Sequence, residues 1–193
     1  MKALLLRAVP RRALLSDSGK VLSLAGLTAL VGAGVAGPAF GQAAPGQDVQ
    51  LLNAAIALEH EGIAAYTIAA GSGLLKPEVV KIGVTFRGHH ERHRDELVKA
   101  VKALGGQPVA AKSDKEYATQ LNVAKLKNQA DVLRLALGLE RGAANAYLGL
   151  IPSLGTNYHQ IAGRMAGDEA FHVAVLGGAL GEPIPTQGLM FGG

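Results

Sequence analysis

The chain has no cysteine. That excludes a disulfide framework and any thiolate metal site, so a bound metal would have to be held by carboxylate and imidazole. No glycine-rich run has the pattern of a phosphate-binding loop; the glycines fall where helices should end. Neither His60-Glu61 nor His90-Glu91 completes the His-Glu-x-x-His of a zinc protease. No stretch alternates with strand period strongly enough to compete with helix. Past the N-terminal region, an excess of charge is missing too. The formal net charge of +4 comes from the first twenty residues, where Lys2, Arg7, Arg11, Arg12 and Lys20 face a single acid, Asp17. The remaining chain has fourteen charges of each sign. The basic balance therefore gives no case for a nucleic-acid partner. Arg87, Arg92, Arg94, Lys99 and Lys102 alternate with acids and read as the solvated face of a helix.

That N-terminal region has its own order. After the basic stretch, Val21 to Gly37 is uncharged and rich in Ala, Leu and Gly, and small residues follow at Ala39, Gly41, Ala43 and Ala44. This is the layout of an export signal with its cleavage zone, expected over residues 1–44. The apolar run falls short of the ~20 residues of a bilayer span, although retention as an anchor is the competing reading. Arg11-Arg12-Ala13-Leu14-Leu15 resembles a twin-arginine signal, which exports folded proteins. An exported, periplasmic protein with the twin-arginine machinery as a partner is the expectation.

The rest reads as helices. Asp48 is a candidate N-cap, and Leu52, Ala55, Glu59, Ile63, Tyr66 and Ala70 recur at helical spacing until Gly71-Ser72-Gly73. Pro77 suits the first turn of a second helix, with Phe86, His90, His93, Leu97, Val101 and Leu104 as its stripe and Gly105-Gly106 as its stop. A polar connection from Gln107 to about Lys127 follows, part of it helical. A third helix starts near Asn128 with Leu133, Leu137, Glu140, Ala144 and Tyr147 inside. A fourth, capped by Thr156 or Asn157, carries Ile161, Met165, Glu169, His172, Val173 and Leu176. The tail 181–193, rich in Gly and Pro, is expected to be irregular. Short turns within each pair and one long connection between pairs define an all-α four-helix bundle with a single crossover, over residues 45–180.

Two copies of one pattern run through this bundle. Leu58-Glu59, Tyr66, Gly88-His89-His90-Glu91-Arg92-His93 and Leu97 correspond to Leu139-Glu140, Tyr147, Gly167-Asp168-Glu169-Ala170-Phe171-His172 and Leu176. In both, the Glu precedes the Tyr by seven residues and the Leu follows the His by four. Glu59, His90, His93, Glu140, Glu169 and His172 all fall on apolar stripes. Isolated buried carboxylates are costly, and three acids with three imidazoles are best satisfied by a metal ion. Tyr66 and Tyr147 are placed either to hydrogen-bond those carboxylates or simply to fill the core. His60 and Glu61 turn away from the stripe and read as solvated, as does His159; His89 can reach the edge of the cluster.

With these residues in view, the chain resembles the ferritin-like superfamily, in particular its secreted, desiccation-related group. Leu58-Glu59-His60 with Tyr66, and Asp168-Glu169-Ala170-Phe171-His172, carry the resemblance. It implies a ferritin-like bundle with one Glu from each of two helices and a Glu-x-x-His from each of the others. Glu59 and Glu140 match the single Glu positions, Glu169 and His172 one Glu-x-x-His, and His93 the other His. His90 stands where the remaining Glu is expected. The resemblance implies iron, as two ions or one, with manganese or zinc as alternatives. It also implies activity on O₂ or H₂O₂, or iron sequestration in a stress response, with a homo-oligomer compatible with either. The contrasting expectation is a structural or protective envelope bundle without redox metal chemistry.

Overall fold

The computed structural model describes residues 45–192, and the leader expected over 1–44 lies outside them. Five α-helices follow one another: α1 (Pro45–Gly71), α2 (Pro77–Ala103), a short α3 (Asp114–Gln120), α4 (Gln129–Leu150) and α5 (His159–Leu180). Single 3₁₀ turns lie at Val123–Lys125, Ile151–Ser153 and Thr156–Tyr158. Among the described residues there is no strand, and no helix is long and apolar enough to cross a membrane. The fold is the expected all-α bundle of four long helices, with α3 inside the crossover.

Local chemistry explains most boundaries. Pro77 follows an extended Lys76 and opens α2, where its missing N–H costs nothing. Gly105 closes α2 at φ +75, a left-handed conformation that a β-carbon disfavours. The Asn128 side chain accepts from the Asp131 N–H at the start of α4, and Ser113 with Glu116 forms a reciprocal capping box on α3.

Two expected caps are not formed. α1 already begins at Pro45, so Asp48 lies within its first turn, where it is buried and accepts from the Gly155 N–H at 2.8 Å. It ties the start of α1 to the turn before α5 instead of capping a helix. Thr156 and Asn157 are absorbed in a 3₁₀ turn, and α5 starts at His159 without a side-chain cap.

α1 lies along α2, and α4 along α5; the two pairs meet mainly through α1 on α4. The crossover runs back along α1. The Asn53 side chain donates to the Gln107 carbonyl and accepts from the Val109 N–H. His60 reaches the Val109 carbonyl at 3.2 Å, and His159 contacts the Leu154 carbonyl at 2.8 Å. The core divides in two. One half is filled by Leu52, Ile56, Leu97, Val101, Leu150 and Met165, among others; each such side chain contributes about 1.5–3 kcal/mol on burial. The other half is thinner, built around Tyr66, Phe86, Leu133, Leu137, Val173 and Leu176. Between the halves lies a polar layer. Past Gly181, itself at φ +72, the tail is irregular and returns to α4, where the Gly192 N–H donates to Asn145.

Candidate metal centre

The middle of each long helix delivers its polar residues to that layer. Glu59 comes from α1, His90 and His93 from α2, Glu140 from α4, and Glu169 and His172 from α5. All six are buried, with exposures from 0 to 6%. Their donor atoms form two overlapping sets in which all lie within 4.8 Å of one another: Glu59, His90, His93 and Glu169, and His90, Glu140, Glu169 and His172. Spacing accounts for this. On one helix, positions three apart face the same way, which brings His90 beside His93 and Glu169 beside His172.

His90 and Glu169 belong to both sets, and each uses both of its polar atoms. Glu169 presents Oε1 to His93 Nδ1 at 3.2 Å and Oε2 to His172 Nδ1 at 3.1 Å. His90 places Nδ1 2.8 Å from Glu59 and Nε2 3.2 Å from Glu140. The tyrosines cross over: the Tyr66 hydroxyl donates to Glu140, and the Tyr147 hydroxyl donates to Glu59. Each copy of the repeat thus supplies the tyrosine that holds the other copy's glutamate. Glu140 Oε2 has no hydrogen-bond partner, although it lies 3.3 Å from His172 Nδ1 without bonding geometry.

These contacts set the protonation of the metal-free centre. Burial pushes the Glu59 carboxyl up, but His90 and His93 outweigh it by hydrogen bonds and charge, bringing it down to about 2. Glu140 is likewise driven up by burial, then drawn well below the carboxylate range by its pairing with Glu169 and by the charge of His90. Glu169 takes the opposite share of that pair: burial and the neighbouring Glu140 carboxylate raise it to about 7. Burial disfavours charge on His90, yet Glu169 and Glu140 raise its pKa well above the usual imidazole value. His93 is raised to about 10 against burial, by hydrogen bonds to Glu169 and Glu59. The metal-free centre is therefore a charge-compensated network of carboxylates and imidazolium groups.

Several supporting residues were not assigned roles from sequence, His89 excepted, which was expected to reach the edge of the cluster. Asp168, exposed at the surface, sits 3.1 Å from His93 Nε2. Accepting that N–H leaves the Nδ1 lone pair of a neutral His93 facing the centre. His89 Nδ1 lies 2.9 Å from His172 Nε2 and does the same for His172, while Phe86 stacks on the His172 ring at 3.9 Å. Glu61, expected to be solvated, is 5% exposed and accepts a 2.6 Å hydrogen bond from Gln120 of α3. The crossover covers the face of α1 that a four-helix wheel leaves open, which corrects that reading; burial raises the Glu61 pKa. Gly62 is a close-approach position: a β-carbon there would lie 3.0 Å from the His90 ring. The wider imidazole at position 90 fits because position 62 has no side chain. Two of these signals were visible, since Asp168 precedes Glu169 and Gly62 lies one turn beyond Glu59. Neither spacing reveals the distant partner.

The six side chains fit a metal. A buried imidazole with a carboxylate on each nitrogen must be cationic or share those carboxylates with a cation, since a neutral ring has only one N–H. The unpartnered Glu140 oxygen and the hard-and-borderline donor set agree with that. Asp168 supplies the carboxylate–histidine support common around such ions. Asp168→Asn is expected to weaken metal binding about 10–100-fold with little change in the fold; competition against a chromogenic chelator measures it.

A family model described as a ferritin-like domain matches residues 47–182. The chain belongs to the ferritin-like domain family. Among solved structures it is similar to a conserved hypothetical protein from Mycobacterium tuberculosis, at 24% identity and a TM-score of 0.62. That match covers 75% of this chain and 99% of the other, and it supports the fold alone. No curated protein matches the chain.

Proposed function

We propose that this protein is an exported ferritin-like metal protein that binds one or two transition-metal ions, iron foremost and manganese or zinc as alternatives, through Glu59, His90, His93, Glu140, Glu169 and His172. The observation that carries the reading is His90, buried with a glutamate on each ring nitrogen. A bound redox-active ion would supply Lewis acidity and electron transfer toward O₂ or H₂O₂. The chain's own residues would do the rest. Tyr66 and Tyr147 orient Glu140 and Glu59, Asp168 and His89 fix the ring orientation of His93 and His172, and the apolar halves exclude water. With three carboxylates the layer would hold a net +1 on two divalent ions and a net −1 on one, so the donor set suits either number.

The twin-arginine-like leader supports export to the periplasm after folding, and the motifs around Glu59 and His172 support membership of the secreted, desiccation-related group. Elemental analysis of the full chain after reconstitution with Fe(II), Mn(II) or Zn(II) is expected to give one to two equivalents; less than ~0.2 would overturn the reading, because a ligand set of this kind should retain its metal. Stopped-flow Fe(II) oxidation then separates an oxidase or peroxide-consuming enzyme, faster than buffer, from sequestration, which would require assembly into a homo-oligomer.

Binding should depend steeply on pH. His90 and His93 hold their protons through neutral pH in the metal-free centre, and ligation requires their loss. Affinity is therefore expected to rise with pH, by about tenfold per unit for each proton displaced. Glu169, raised to about 7, adds a proton to be displaced below neutrality. Calorimetry in two buffers of different ionisation heat counts those protons.

One observation favours a second reading, a protective envelope bundle without redox chemistry: the imidazolium–carboxylate network already balances its charges without a metal. In that case a chelator would leave the melting temperature unchanged, whereas a metal-linked fold would lose stability.

A further inference from the structure

The thinner half of the core contains a cavity of ≈ 90 Å³ that runs from the polar layer to the end of the bundle. Its inner end is walled by His90, Glu140 and Tyr66, and its outer end by Ser72, Leu75 and Ala179. Along α1 the lining extends from Leu58 to Ser72 and along α4 from Val132 to Ala146, in each case a rise of about 20 Å. Small side chains open it, at Ala65, Ala69, Gly83, Ala136 and Ala143. The crossover roofs it with Leu121, Val123 and Leu126, and Gln120 is fastened beneath to Glu61. The other half of the same bundle buries thirteen hydrophobic side chains in its cluster, against six in this one.

The occupant is defined by shape and chemistry. Water needs two to four polar partners, which the aliphatic walls do not offer. A partner helix, about 10 Å across, is too wide for so small a volume spread over such a length. At about 10–15 Å³ for each water-sized group, the space admits roughly six to nine such groups in file. We propose that the cavity binds the aliphatic chain of a single-chain amphiphile, inserted between the helix pairs with one end against Tyr66, His90 and Glu140. This goes beyond the metal reading: chain binding needs only the bundle, whereas treating the bound chain as a substrate would rest on a loaded centre.

Calorimetric titration of the full-length protein with 1-hexanol, 1-octanol and 1-decanol tests it, on metal-stripped and metal-loaded samples alike. The expected result is one site, with affinity rising about fourfold per added methylene from 1-hexanol to 1-octanol and levelling off at 1-decanol, whose chain exceeds the space. Ala136→Phe and Ala143→Leu, which fill the slot, should each weaken 1-octanol binding at least tenfold while the melting temperature holds or rises. Should either variant fail to fold, Ala69→Leu makes the same test from α1. A wild type that takes up none of the alcohols, or variants that bind them unchanged, would overturn the proposal. So would association with phosphatidylcholine vesicles without uptake of free alcohol, because a slot between the helix pairs must draw the chain out of its surroundings. Metal content measured on the same samples keeps the two readings separable: alcohol binding without metal sinks only the metal centre, and metal without alcohol binding sinks only the cavity.

Discussion

Glu169→Gln is expected to remove metal binding from both ligand sets at once while leaving the metal-free bundle almost unchanged. Glu169 is fully buried, and its two oxygens face His93 and His172 separately. Loss of an outer partner of a metal ligand costs about 10–100-fold in affinity, so loss of a ligand shared by both sets should cost at least about 100-fold. The metal-free state is spared for an electrostatic reason. With a pKa of about 7, Glu169 is already half protonated at neutral pH, and a neutral amide of the same shape reproduces that form. Elemental analysis should therefore show a near-empty protein whose melting temperature, in chelator, matches the wild type. Glu91→Gln, on the outer face of α2 where Glu91 pairs with Arg87, is the control and should keep its metal. An equal metal content in Glu169→Gln and wild type would remove Glu169 from the ligand set.

Gly62→Ala should destabilise the protein, although in an ordinary helix interior the same change is worth about 1 kcal/mol in the opposite direction. The new β-carbon would meet the His90 ring at 3.0 Å. That ring has little freedom to withdraw, held by Glu59 and Glu140 and stacked on Tyr66. Overpacking of this kind costs about 1–3 kcal/mol, enough to cancel or exceed the helix gain. In a His90→Ala background the obstacle is gone, and Gly62→Ala should become stabilising by about 1 kcal/mol. The reversal of sign, read from denaturant unfolding of the four proteins in the cycle, isolates the pair. If Gly62→Ala stabilises both backgrounds equally, the ring is not held against Gly62. Metal content of the single variant should fall in parallel, since a displaced His90 leaves both sets.

The helices were legible because their signals are local. Pro77, Gly105 and Asn128 act within a turn of their own positions, and the structure uses each of them as the sequence indicates. The convergence of the six acids and imidazoles followed from period alone, as a polar side chain on an apolar stripe has nowhere to go but the interior. Two of the failures share a different cause. Glu61 and Asp48 were misplaced because their partners, Gln120 and Gly155, lie 59 and 107 positions away. A helical wheel treats each helix as if only its stripe were covered, whereas the crossover covers a second face of α1.

The duplicated pattern by itself determined four amphipathic helices, their pairing, and which polar residues share the middle layer, because hydrophobic period and spacing on a helix are set by backbone geometry. Only the tertiary structure decided that each tyrosine serves the other copy's glutamate, that Gly62 makes room for His90, and that one half of the core is filled while the other holds a slot. Those are contacts between helices distant in sequence. Their distances depend on how closely two backbones approach and on which small residues let them do so, and neither is a property of any one segment.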